Sequence, residues 1–439
     1  MQKVLFICYY FPPMGMGGTQ RSAKFAKYLM EFGWNPIVLT VKDVNYYAID
    51  ESLLGDVANR EIIRTESLDP LRILARLRKQ GDKSGRNSKA DSSKGHSKIS
   101  SFLNKVISGW LLIPDSKILW LPFLIPGAIR QIKKHKIKVV YTTSPPHSAH
   151  LGGVILKILT KVKLVADFRD DWTGGESQPS PSLFHDFINR LMEKIVLKKA
   201  DVVLSMCESL TANLQRKSGD NFNTSKFRTI TNGYDAEDFS ALLDLPMEEK
   251  FTITHCGSIS RVSNPDPFLQ AVQKLFHEYP ELKGKVQIQF FGTDLFGDLQ
   301  AMLNQYSLHS FIQPIKYLPH KQALKKVMKS HLLLLTIFKK TNEEIITSKV
   351  FEYFASGKPI LLVSGEGEVA RQIKFMKRGK VIPNDNIDGI KEAILEYYQK
   401  FKNKQLKFEK PLSTKQFDRA ILTKELAETF SDVVKQGED

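Results

Sequence analysis

Apolar and polar positions along the chain alternate between short continuous apolar runs and segments of helical period, outlining strands and helices in turn. Residues 3–11 form an apolar run that stops at Pro12-Pro13 and a glycine-rich stretch, Gly15-Met16-Gly17-Gly18. From Thr19, TQRSAKFAKYLMEF has helical spacing, Gly33 ends it, and residues 36–40 return as a strand. This predicts a βαβ unit whose glycine loop sits at the carboxyl end of its first strand, where open α/β sheets bind ligands. The loop lacks the third glycine of a dinucleotide fingerprint. Strands follow at 139–147, ending in a turn, and at 163–167, 201–206 and 227–231, with helices at 150–160 and 183–199 and a turn at Asn232-Gly233-Tyr234. A second set of strands begins at 252–256 and continues at 287–292, 312–317 and 332–338. The pattern predicts an α/β protein with two doubly wound, Rossmann-like domains facing a cleft. Their expected limits are 1–240 and 241–410, joined at a linker-like 242–250, with a C-terminal helix in 411–439 packing back on the first domain.

Residues 344–363, EIITSKVFEYFASGKPILLV, concentrate the candidate chemistry. Thr347 or Ser348 is placed to cap a short helix, so its free N–H groups would face whatever precedes it. Helical spacing sets Ser348, Lys349 and Glu352 on one face and turns Val350, Phe351, Phe354 and Ala355 toward a core. Gly357 suits a left-handed cap, Pro359 bars further helix, and residues 360–363 read as a buried parallel strand. Such a helix start favours an anion by about 0.3–1 kcal/mol before the charge of Lys349 is added. Glu352 is suited to accept hydrogen bonds from ribose hydroxyls. The ordinary alternative is a solvated Lys–Glu pair, common at this spacing.

Composition narrows the field. The 439 residues are 42% hydrophobic, enough for two or three domain cores. Cys8, Cys207 and Cys256 are far apart and lack metal-ligand spacing, which points to a reducing compartment and no metal. A formal charge of +17 calls for anionic partners. No stretch is apolar enough to span a bilayer, and the first apolar run lacks a cleavage site, so a cytoplasmic location is expected.

Residues 71–110 carry ten Lys/Arg against two Asp, and a basic loop is expected at about 76–101. The stretch 110–126, with Trp110, Trp120 and several Leu and Ile, follows closely. Basic residues interleaved with such side chains suit the headgroup region of an anionic membrane, making a peripheral position at its inner face the expectation. The alternative is a basic insertion beside core-packed aromatics. A nucleic-acid partner is not expected, since the charge gathers in a loop with no recognisable binding module.

These segments resemble the family-four retaining glycosyltransferases of GT-B architecture. The resemblance rests on YYFPPMGMGGTQRSAKFAKYLMEFGW, SPPHSAHLGG, ADFRDDW, ITNGYDAEDF, HCGSISR, SKVFEYFASGKPIL and FDRAILTKELAETF, spread over nearly the whole chain. It is strongest to bacterial enzymes that build capsule, O-antigen or exopolysaccharide. It implies sugar transfer from a nucleoside-diphosphate sugar, commonly a UDP-sugar, to a lipid-linked or growing glycan, with no metal or other cofactor. Carried over, Glu352 would hold the ribose, while Glu344 and Ser348 would contact the donor sugar. Lys349 and Arg261 would neutralise the diphosphate, Gly17 and Gly18 would approach it from the first domain, and Tyr317 would lie by the base.

The chain also departs from the family pattern. Ile345-Ile346-Thr347-Ser348 replaces a glycine-rich stretch with proline, and no lysine follows Arg261 at the usual short interval. Where many members have a histidine facing the donor sugar, this chain has Phe168-Arg169-Asp170-Asp171-Trp172, so Asp170 or Arg169 takes the catalytic position. A carboxylate there is placed to orient an acceptor hydroxyl or accept its proton; the alternative is a structural Arg169–Asp salt bridge. Two further readings of the same architecture are a nucleotide-sugar epimerase or hydrolase and an inactive scaffold in a polysaccharide assembly complex.

Overall fold

The computed structural model describes residues 1–15, 17–42, 49–70, 112–174, 180–219, 223–260, 262–292, 298–315, 318–338 and 346–436. The basic segment 71–110 lies outside them. Two compact units form, one from residues 1–231 and 423–439, the other from 232–422.

The first unit is built on seven parallel strands: β1 (Gln2–Ile7), β2 (Trp34–Val41), β3 (Glu61–Thr65), β4 (Val139–Ser144), β5 (Lys163–Phe168), β6 (Val202–Ser205) and β7 (Phe227–Thr229). Their order is β3-β2-β1-β4-β5-β6-β7. The longer helices are α1 (Gly17–Tyr28), α2 (Leu121–His135), α3 (Ser148–Thr160), α4 (Leu183–Lys199) and α5 (Glu208–Ser218). Val4 to Ile7 and all of β4 are buried, as expected of parallel strands covered on both faces, and this explains the continuous apolar runs. β3 escaped the sequence reading because EIIRT is short and only half-buried at the sheet edge.

Within the apolar stretch 118–126, read above as suited to lipid, Trp120 and Leu124 belong to the core, while the other residues are half-buried or exposed. Trp120 is fully buried, stands edge-on to Tyr9 and donates from Nε1 to Thr65 Oγ1 at 2.8 Å. Leu124 is also buried, on α2. A core helix and an interfacial one present the same composition, so only packing separates them.

At the centre of this unit Arg21 and Asp167 pair without solvent. Both Asp167 oxygens accept from Arg21, at 2.9 Å each. Arg21 also donates to the carbonyls of Ile230 and Thr231, and Asp167 accepts from Tyr141 and Thr143. The pair therefore ties α1, β4, β5 and the segment after β7 together. Phe430 from the C-terminal residues packs among Phe6, Trp34 and Tyr141.

The second unit holds six parallel strands: β8 (Phe251–Cys256), β9 (Val286–Phe291), β10 (Ile312–Ile315), β11 (Leu332–Ile337), β12 (Ile360–Ser364) and β13 (Gly379–Ile382). They run in the order β10-β9-β8-β11-β12-β13. Its longer helices are α6 (Asp266–Glu278), α7 (His320–Lys329), α8 (Lys349–Ser356), α9 (Glu368–Phe375) and α10 (Ile387–Lys402); α11 (Arg419–Lys435) closes the chain. The segment 346–364 forms the predicted helix and strand. Val350, Phe351, Phe354 and Ala355 are wholly buried, and Gly357 ends α8 in the left-handed region at φ 72°. One detail differs: Ser348 is itself helical in backbone and makes no side-chain cap bond.

Candidate active site

Each sheet has one switch point, a pair of neighbouring strands whose connections leave in opposite directions. It falls between β1 and β4 in the first unit and between β8 and β11 in the second. Ligands of doubly wound sheets bind at the carboxyl ends of such strands. The candidate residues within the described chain gather at these two places.

In the second unit a cavity of about 170 Å³ opens at the ends of β8 and β11. Its lining includes His255, Ser260, Ser263, Thr336, Thr347 and Lys349. The Lys349 side chain runs from the N-terminus of α8 across Gly257, directly after β8. A β-carbon on Gly257 would collide with Lys349 Cε and Nζ, and φ is +130°, so only glycine suits both the turn and the lysine. No carboxylate among the described residues lies within ion-pair distance of Lys349. Loss of water around its ammonium pushes the pKa down to about 8, partly offset by the carboxylate of Glu352. A desolvated cation at a helix N-terminus, with no ion-pair partner among the described residues, suits an anionic ligand. Burial raises the Cys256 thiol to about 12, so it supplies no thiolate.

Glu352 does not form the Lys–Glu pair that its spacing allows. Its Oε1 bonds His320 Nε2 at 2.8 Å, and no described residue bonds Oε2. His320, at the start of α7, also has Nδ1 3.8 Å from Asp238 Oδ2. Tertiary packing thus holds Glu352 from behind while leaving one oxygen for a ligand. His320 and Gly257 were missed in the sequence. The signals available were a histidine directly after Leu318-Pro319 at a helix start, and a lone glycine directly after a strand.

In the first unit, Arg169 and the helix start at Gly17 and Gly18 come together. The two glycines open α1 itself, two residues earlier than its periodicity suggested. Arg169 is buried and donates from Nε to Ser144 O at 2.9 Å and from Nη2 to Pro145 O at 2.7 Å. Its Nη1 lies so close to Gly18 that a β-carbon there would collide with it. The first turn of α1 has no acidic residue. Two positive poles therefore face one place, as an anionic ligand requires. Among the described residues, Arg169 forms no salt bridge with an Asp, the structural alternative weighed above. Asp170 is exposed at the end of β5, while Asp171 pairs with Lys217 and Asn213. His147 stacks on Trp172, with ring centroids 4.7 Å apart. Arg261, Tyr317 and Glu344 lie outside the described residues.

The Lys349 ammonium predicts a pH effect. Its free pKa of about 8 must rise when a diphosphate binds, so binding above that pH takes up a proton. Nucleotide affinity should be level below about pH 7 and fall by up to about tenfold per unit above about pH 8. Calorimetric titration in buffers of different ionisation heat reads the proton directly. A flat affinity without proton uptake up to about pH 10 would show that Lys349 does not meet the phosphates.

Two doubly wound Rossmann-like domains, each with its anion-suited site at the switch point, define the GT-B architecture. The family model described as Glycosyltransferase Family 4 matches residues 90–238, bearing out the resemblance read from the sequence. Solved structures agree in fold. A Staphylococcus aureus TarM variant, in complex with Fondaparinux, alpha-GlcNAc-glycerol and UDP, has a TM-score of 0.60 at 10% identity, covering 99% of each chain. Sucrose-phosphate synthase from Thermosynechococcus elongatus has a TM-score of 0.57 at 13% identity, over 100% of this chain and 98% of that one. The lipopolysaccharide outer core galactosyltransferase WaaB has 0.57 at 11% identity, over 99% and 100%. No curated protein matches the sequence. The chain is thus GT-B in fold, and its residues 90–238 match the family-four glycosyltransferase model. No helix among the described residues is long and apolar enough to cross a membrane.

Proposed function

We propose that this protein transfers a sugar from a nucleoside-diphosphate sugar, with UDP as the first choice, to a lipid-linked or growing glycan in capsule or lipopolysaccharide assembly. Transfer proceeds with retention and without metal, at the inner face of the membrane. The observation that carries the reading is the desolvated Lys349 at the start of α8, without an ion-pair partner among the described residues, beside the β8–β11 switch point. A leaving diphosphate gains negative charge in the transition state, and a cation already stripped of water stabilises it with little reorganisation. Lys349, joined by Arg261, does the charge work that a metal does elsewhere. Glu352, braced by His320, holds the ribose through Oε2. Ser348 and Glu344 contact the donor sugar, Tyr317 lies by the base, and Gly17 and Gly18 present α1 to the diphosphate. Arg169 and Asp170 face the reacting sugar and its acceptor. UDP is favoured because it occurs in the TarM complex of like fold.

The test is thermal shift with UDP, GDP, dTDP and ADP, followed by a donor screen on a lipid-linked acceptor pool read by product mass. One nucleotide should raise the melting temperature, and Glu352→Ala should erase that rise. His320→Ala should weaken it about three- to tenfold, with His320→Gln recovering part of the loss. Binding followed by donor epimerisation or hydrolysis without transfer would support the epimerase or hydrolase reading. No shift with any nucleotide at millimolar concentration would leave the scaffold.

A further inference from the structure

A helix on the surface of a water-soluble unit normally buries one apolar face and turns a polar face outward. α4 does not. Its inner face, with Val196 and Leu197, is buried in the first unit. Its outer face carries Leu183, Phe184, Phe187, Leu191 and Ile195, exposed by 89, 64, 64, 46 and 40%. At 100° per residue these five fall within about 120° of arc. Ile158 on α3, the helix packed beside α4, is exposed as well. Together they leave large apolar side chains in solvent on two adjacent helices, the kind of surface that marks a docking site.

The charges on that face identify the occupant. Lys194 and Lys198 fall inside the apolar arc, and Arg190 and Lys199 flank it. The acids of α4 do not offset them in the arc. Glu193 is buried with Thr173 and Lys217, and Asp186 lies outside the arc, bonded to Arg190. Lysines are depleted from the cores of protein interfaces, where each must be desolvated. At a bilayer surface the same lysines extend to the headgroups while Phe and Leu enter the acyl boundary. We propose that the outer face of α4, extended by α3, is a docking surface for an anionic lipid bilayer. The surface is distinct from the basic segment 71–110, and it stands whether or not the chain proves to be a transferase.

Cosedimentation of the full-length protein with phosphatidylcholine vesicles, with and without phosphatidylglycerol, tests this. The protein should pellet with the anionic vesicles. Phe187→Glu/Leu191→Glu should weaken partitioning at least about tenfold, because two inserted side chains are lost. Melting temperature and nucleotide-induced shift should stay unchanged, since both residues are exposed. Lys194→Glu/Lys198→Glu should abolish the preference for anionic vesicles and mimic high salt. The proposal is overturned if the wild type stays in the supernatant. It is equally overturned if both double variants pellet like wild type while deletion of 76–98 abolishes binding. A concentration-dependent dimer that Phe187→Glu/Leu191→Glu makes monomeric, with no vesicle binding, would instead assign the face to a second copy of the chain.

Discussion

Lys349→Met should lose nucleotide binding while leaving the free protein as stable as before, or slightly more stable. The two signs are opposite because the same charge does two things. In the free protein the ammonium is desolvated and no carboxylate among the described residues pairs with it. Removing it relieves a penalty, and methionine keeps the stem that lies over Gly257. In the complex a charge-assisted bond to phosphate is lost, worth about 1.5–3 kcal/mol, or roughly 10–150-fold in affinity for UDP. Turnover should fall further, by about 10²–10³-fold, because charge grows on the diphosphate as it leaves. Calorimetric titration with UDP and thermal unfolding without it measure both signs on one preparation. A variant that binds UDP normally but unfolds earlier would make Lys349 a structural residue and remove the main support for the proposed donor site.

The second large effect belongs to the first unit. Arg21→Met should destabilise it by about 3–5 kcal/mol, because Asp167 is left as a buried carboxylate without its cation. The carbonyls of Ile230 and Thr231 lose a donor as well. Arg21→Met/Asp167→Leu should recover much of the loss, since a buried pair replaced by apolar groups is often neutral. Burial alone would raise the Asp167 pKa, but Arg21, the hydrogen bonds and Arg169 outweigh it and hold the carboxyl below its ordinary 3.8. A depressed carboxyl contributes stability above its unfolded pKa and loses it as pH falls through the folded value. The difference between wild type and Arg21→Met/Asp167→Leu should therefore be constant above about pH 5 and shrink below about pH 4. Urea unfolding across that range checks it. Equal stability of wild type and Arg21→Met at neutral pH would mean the pair contributes no net stabilisation.

Legibility followed the range of the forces involved. The strands with continuous apolar runs and α8 with its glycine stop were readable, because period, caps and breakers are local. β3 and β13 were missed because short edge strands bury little and so need few apolar residues. Trp120 shows the opposite failure. Its neighbourhood matched a lipid interface in composition, yet Thr65 and Tyr9, remote in sequence, enclose it. An apolar face that is exposed lies on α4, which the sequence marked only as a helix at 183–199.

The chain by itself determined that two doubly wound α/β units would form and that residues 344–363 would carry an anion-suited helix start. Both follow from local periodicity and from which residues can begin or stop a helix. What Lys349 and Glu352 do there was decided only by tertiary structure. Their spacing permitted a mutual pair, but His320, 32 positions before Glu352, captures the glutamate. Gly257, far upstream, makes room for the lysine beside the end of β8. Separated from each other in this way, one keeps an oxygen and the other an ammonium that no described residue bonds. No i, i+3 rule contains that outcome, because it depends on which strands the sheet makes neighbours.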